Sequence, residues 1–110
     1  RESFKKKFGH YPDVIAVQGY DAMHVAFKAM KAIDGQVDDP KKFIAALRKV
    51  KMSVDESPRG PFYFDKYANP VQNIYIREVV EDGRGGYTNK TLKAVFTGHG
   101  NAYEDDCKMQ

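Results

Sequence analysis

The residues of this chain that could do chemistry are few and stand apart from one another. His24 lies in a helical pattern beside Ala22 and Phe27, which is the setting of a packed or surface histidine rather than of a metal ligand. Arg59 sits in a turn, where it can meet an anion or, more simply, pair with Asp55 or Glu56. Glu104, Asp105 and Asp106 are consecutive and lack the spaced oxygen ligands of a calcium loop. Asn89-Lys90-Thr91 has the form of a glycosylation acceptor, a pattern too common to carry weight. Gly83-Arg84-Gly85-Gly86 lacks the lysine and the strand-to-helix setting of a phosphate-cradling loop, and no catalytic triad or pair of catalytic carboxylates can be assembled. No enzymatic activity, metal or cofactor is expected.

Composition narrows the partner. A length of 110 residues suits one small domain with one core. Lys and Arg number 18 against 15 Asp and Glu, a net charge of +3 spread along the chain, too mild an excess to argue for nucleic acid. The one basic run, Lys5-Lys6-Lys7, reads as the solvated face of a short helix. No apolar run approaches the roughly 20 residues that span a bilayer, so a membrane protein is not expected. Cys107 is alone and can make no internal disulfide. The N-terminus lacks the regions of a signal peptide, and Arg1 opens directly inside a helical pattern, so the chain is expected to be cut from a longer one.

The elements follow from periodicity and punctuation. Phe4 and Phe8, four apart, predict a helix over Glu2–Phe8, stopped by Gly9 and Pro12. Val14–Val17, apolar and half β-branched, predicts a short buried strand running into a turn at Gln18-Gly19. Tyr20, Met23, Phe27, Met30 and Ile33 then fall at helical spacing, and Gly35 ends that helix. Asp39 and Pro40 form a cap and first turn, and Phe43, Ile44, Leu47 and Val50 make the buried stripe of another helix. Beyond Lys51 the pattern turns to strands: Phe62–Phe64, an alternating Asn73–Val80, a hairpin-like turn at Asp82–Gly86, and Tyr87–Phe96. Residues 97–110 read as a polar tail.

Between helices and strands lies Ser57–Asp65, "SPRGPFYFD". Pro58 and Pro61 fix φ on either side of Gly60, so the segment makes a rigid bend into a strand. The bend also belongs to an ordered series: Tyr20-Asp21-Ala22 at a helix start, Ser57-Pro58-Arg59-Gly60-Pro61 with Phe64-Asp65, and Gln72-Asn73 leading into Tyr75-Ile76-Arg77-Glu78-Val79. In order and separation this series resembles the C-terminal part of the solute-binding proteins of bacterial ABC importers, of the branched-chain amino acid (leucine/isoleucine/valine) type. The resemblance covers about Phe4 to Asn89, and the sequence from Thr91 departs from it.

The resemblance implies an α/β fold, here a C-terminal fragment of a two-lobe, type I periplasmic-binding-protein fold, with residues 1–96 belonging to the ligand-binding domain and a hinge or crossover near 65–73. It implies an extracytoplasmic, periplasmic protein that closes on an amino acid or small, including aromatic, carboxylate and delivers it to a membrane permease. A ligand-sensing domain of the same fold and a stand-alone α/β interaction module are the alternatives. Ligands of α/β sheets sit beyond the carboxyl ends of strands, so a Val14–Val17 strand would aim Gln18, Gly19, Tyr20 and Asp21 at the cleft. Gln18 would offer an amide, Tyr20 a ring with a hydroxyl, and the following helix N-terminus a place for an anion. Tyr20 suits a core anchor equally, and Asp21 a first-turn charge. A fragment whose amphipathic helices lack their full sheet is expected to self-associate.

Overall fold

The computed structural model describes residues 1–106 and 108. Helices come first and strands second: α1 (Glu2–Phe8), α2 (Val14–Ala32) and α3 (Pro40–Arg48), then β1 (Lys51–Met52), β2 (Phe62–Phe64), β3 (Pro70–Glu81) and β4 (Tyr87–His99). The strands form one antiparallel sheet in the order β1-β2-β3-β4. Cys107 lies outside the described residues.

Gly9 ends α1 as expected, in the left-handed conformation at φ 80°, and donates its N–H to the Lys5 carbonyl. The main departure is at Val14–Val17, which is not a strand but the first turn of α2. Asp13 is extended, and its Oδ1 accepts the Ala16 N–H at 2.8 Å. With that cap in place the short apolar run continues into one helix of 19 residues. Four apolar residues are too few to distinguish a buried strand from a helix by period, whereas the aspartate before them is a specific start signal.

The buried face of α2 also differs from the predicted row. Asp21, Val25 and Ala29, each four apart, point inward, with Ile33 buried just past the helix end. Tyr20, Met23 and Phe27 are 56%, 68% and 59% exposed. The helix is thus apolar on two sides, and the described residues cover one of them. The core is Val25, Ala29, Val50, Met52 and Phe62, against which Phe43, Ala46, Leu47 and Phe64 pack. Asp39 caps α3 by accepting the N–H groups of Lys41 and Lys42 at 2.9 and 3.2 Å, with Pro40 in the first turn, as its sequence dictates. Of that helix's predicted stripe, Ile44 is half exposed.

β2 turns into β3 through Asp65–Asn69, where Asp65 Oδ1 accepts the N–H groups of Tyr67 and Asn69, both at 2.8 Å. β3 and β4 form a long hairpin closed at Asp82–Gly86, with Val80 opposite Thr88 and Glu81 opposite Tyr87. β4 runs to His99, three residues past the expected end at Phe96.

The loop between β1 and β2 is lashed to α2. Lys28 Nζ donates to Glu56 Oε1 and Oε2 at 2.7 and 2.8 Å and to the Lys51 carbonyl at 2.8 Å, while Glu56 Oε2 accepts the Ser53 N–H at 2.9 Å. His24 Nδ1 donates to the Glu56 carbonyl at 3.2 Å, so the histidine packs, as expected, rather than standing free. Lys28 and the Ser53 backbone together hold the Glu56 carboxyl down, from its ordinary 4.5 to about 2.

Two predictions follow from these contacts. Gly60 has φ 93°, and a Cβ there would lie 2.7 Å from the Tyr75 hydroxyl oxygen, whereas Gly35, at φ 74°, has nothing within 4 Å. Gly35→Ala should cost about 1 kcal/mol for the left-handed backbone and Gly60→Ala distinctly more, as read by urea unfolding; equal losses would mean that Tyr75 moves aside freely. Because the folded-state pKa of Glu56 is depressed, its contribution is complete above its ordinary 4.5 and disappears as pH falls through about 2. The stability gap between the native chain and Glu56→Gln should therefore shrink over that window, and a gap independent of pH would refute the assignment.

Candidate functional site

The Ser57–Asp65 bend meets α2 through a buried ion pair. Asp21 is 1% exposed, and its Oδ2 accepts from Arg59 Nε at 2.7 Å and from Ser57 Oγ at 2.9 Å. Ser57 Oγ in turn accepts the Arg59 N–H at 3.2 Å. Arg59 Nη1 reaches Gln72 Oε1 on β3 at 3.3 Å, and its guanidinium lies 4.8 Å from the centre of the Phe62 ring. The arginine therefore does not pair with Asp55 or Glu56 as the turn suggested: Glu56 is taken by Lys28. Arg59 is drawn across to the helix because Asp21, two turns inside α2, has no water to face. A carboxylate buried this deeply is tolerated only when paired and hydrogen-bonded. Its Oδ1 has no hydrogen-bond partner among the described residues.

Arg59 and Gln72, the outer members of this knot, line a groove of about 470 Å³ between the start of α2 and β3. Pro12, Val14, Val17 and Pro58 give it an apolar wall; Gln18, Arg59, Gln72, Asn73, Arg77 and Asn89 supply polar heads. Asn73 is committed within it, its Nδ2 donating to the Tyr75 hydroxyl at 3.1 Å and its Oδ1 accepting the Gly98 N–H at 2.9 Å. The Tyr75 ring lines the same groove, its hydroxyl seated above Gly60. A concavity that sets an apolar wall against converging polar groups can hold a small molecule. A second depression, of about 600 Å³, lies between α1, α2 and the loop before Pro58, and Tyr20 borders it.

The predicted site residues are thus separated. Gln18 lines the α2–β3 groove, but from the second turn of a helix rather than the end of a strand. Gly19 lies on the outer face of α2 beside Met23 and Phe27, and Tyr20 borders that face and the second depression. Asp21 is turned into the core, where it holds Arg59. Sequence reasoning missed Gln72, Arg77 and Asn89 as groove residues. The signal available was that Tyr75 and Arg77 share one side of an alternating strand. Among the described residues no cluster of His, Cys, Asp and Glu could hold a metal, and no helix is long and apolar enough to cross a membrane.

The same arrangement of helices and sheet occurs in known proteins. Residues 1–84 match the family described as periplasmic binding protein, and the chain belongs to it. It is 39% identical over 79 residues to the "Leu/Ile/Val-binding protein homolog 6" of Brucella abortus (strain 2308) and of Brucella suis biovar 1 (strain 1330), a match covering 71% of this chain and 19% of each relative. Among solved structures, an ABC transporter substrate-binding protein from Sphaerobacter thermophilus superimposes with a TM-score of 0.78 at 27% identity, over 88% of this chain and 26% of that one. An ABC transporter solute-binding protein from R. palustris, in complex with benzoate, gives 0.74 at 35% identity, over 98% of this chain and 28% of that one. The chain therefore spans about a fifth of the curated relatives' length and about a quarter of the solved structures.

Removing either half of the buried pair should separate its costs. Arg59→Ala strands a carboxylate in the core and should cost about 3 kcal/mol; Asp21→Ala leaves an arginine that can turn to water and should cost less. Urea unfolding of both variants tests this, and a greater loss in Asp21→Ala would overturn the desolvation account.

Proposed function

We propose that this chain is the C-terminal portion of the extracytoplasmic, periplasmic solute-binding component of an ABC importer, without enzymatic activity of its own. It captures an amino acid or small carboxylate, aromatic acids included, and the closed, liganded form is what the membrane permease receives. The α2–β3 groove carries this reading: it joins an apolar wall to amide and guanidinium heads, at a volume of about 470 Å³ that suits such a solute. Family membership and the benzoate complex of the R. palustris relative support it. Gln18 is the member of the predicted set that meets the ligand in the groove; Tyr20 and Gly19 serve contacts outside it. The crossover near 65–73, where a tight turn leads into β3, is the hinge about which a second lobe closes.

The apolar residues left open on α2 and on the hairpin, Met23, Phe27, Ile76 and Phe96 among them, are covered in a longer protein by other segments. In the isolated chain they drive self-association.

Amide NMR spectra of the ¹⁵N-labelled chain, recorded while leucine or benzoate is added, test the function, because they detect weak binding by half a cleft. The expected outcome is a saturable shift of the Gln18, Gln72 and Asn73 signals with at least one solute, in a sample whose light-scattering mass exceeds the 12.5 kDa monomer. No shift with either solute would sink the binding assignment, and a strictly monomeric mass at high concentration would sink the self-association.

A further inference from the structure

The groove's charges do not cancel. Three charged side chains line it: Asp13, Arg59 and Arg77. Asp13 is spent on the start of α2, where its Oδ1 accepts the Ala16 N–H at 2.8 Å and faces the positive end of the helix. Arg59 is neutralised from behind by Asp21 at 2.7 Å and has a further hydrogen bond to Gln72. Arg77 has no carboxylate partner among the described residues. Its guanidinium lies 5.9 Å from the centre of the Tyr75 ring, two residues back on the same side of β3, which leaves its hydrogen-bonding edges open. Opposite Val79, the next residue on that side, β4 places Asn89, and the side-chain amides of Asn89 and Gln18 have no hydrogen-bond partner among the described residues. One uncompensated cation and two unused amides therefore share a groove whose apolar lining includes Val14, Val17 and Pro58.

We propose that Arg77 is the anion receptor of this groove, binding the carboxylate of a small monocarboxylate whose apolar body lies against Val14, Val17 and Pro58. The inference rests on the solute-binding reading and deepens it by assigning the charged end of the ligand to β3. A planar guanidinium meets a carboxylate with two parallel N–H donors, which a neutral amide ligand cannot match. Arg59 cannot take the role in its place, because its Nε and Nη1 are already committed and its charge is balanced by Asp21. The apolar wall disfavours small inorganic anions, which would leave it facing water. Phosphate and chloride are therefore expected to compete poorly.

The same amide NMR titration, run with benzoate and with its neutral isostere benzamide, decides the matter. Benzoate should shift the Gln18 and Asn89 side-chain amides at least about tenfold more tightly than benzamide, the discrimination expected of a charged hydrogen bond. Arg77→Gln should remove that preference, and Arg77→Lys should restore part of it. Arg77 is exposed on a strand and outside the core, so both variants should retain the native spectrum elsewhere. Benzoate and benzamide binding equally well, or Arg77→Gln binding benzoate unchanged, would overturn the assignment while leaving solute binding intact. If neither benzoate nor leucine binds the unaltered chain, the solute-binding reading and this inference fall together.

Discussion

The carboxylate of Asp21 is the one charged group buried among the described residues, and much of the structure is arranged to make its burial tolerable. Without Arg59 and Ser57 it would be an uncompensated buried charge, at a cost of about 3 kcal/mol or more. Meeting it requires the 57–61 segment to lie against α2. The prolines and the left-handed Gly60 hold the bend in that position, and the bend delivers the chain into β2 with Phe62 in the core. From the other side, Arg59 reaches Gln72, so α2, the bend and β3 are fixed relative to one another by a single guanidinium. The groove lies between the elements thus fixed. Its shape depends on a charge pair whose acidic partner never touches the groove.

Local chemistry was well written in the sequence. Gly9, Asp39 with Pro40, and Asp82–Gly86 each forced their cap or turn with neighbouring residues alone, and each stands where the sequence places it. The order of motifs from Tyr20 to Val79 was also enough to identify the family. What failed was whatever depended on partners distant in sequence. Val14–Val17 carries strand-like side chains, and only the Asp13 cap commits it to helix. Asp21 looked like a first-turn charge because its true partner lies thirty-eight residues away. Tyr20, Met23 and Phe27 have the spacing of a core stripe, yet the described residues bury the neighbouring face instead. An apolar period states that a face wants cover, not which segment supplies it.

The candidate groove was legible in part for the same reason. Gln18 stands in the groove, although the strand end that was to present it does not exist; the second helical turn puts its amide there. Arg77 and Asn89 belong to two strands, and only the hairpin register brings them beside the helix. No motif marks them, because their common location is a property of pairing rather than of spacing. The groove is accordingly built from one helix whose start the sequence declares and one hairpin whose alignment it leaves to the turn.

That hairpin has a consequence for the order in which the molecule assembles. Every pair in the β3–β4 ladder, from Glu81 with Tyr87 to Gln72 with His99, is closed by a turn of five residues and zips outward from it. Such local pairing forms within microseconds and asks little of chain entropy. The helix-to-bend contacts instead span more than thirty residues and must wait for a slower search. A full-length chain refolding from the unfolded state would therefore hold one wall of the groove early and acquire the other late. In that interval Gly60 and Tyr75, which must slot together without room for a methyl group, act as the gauge of whether the two walls have met in register.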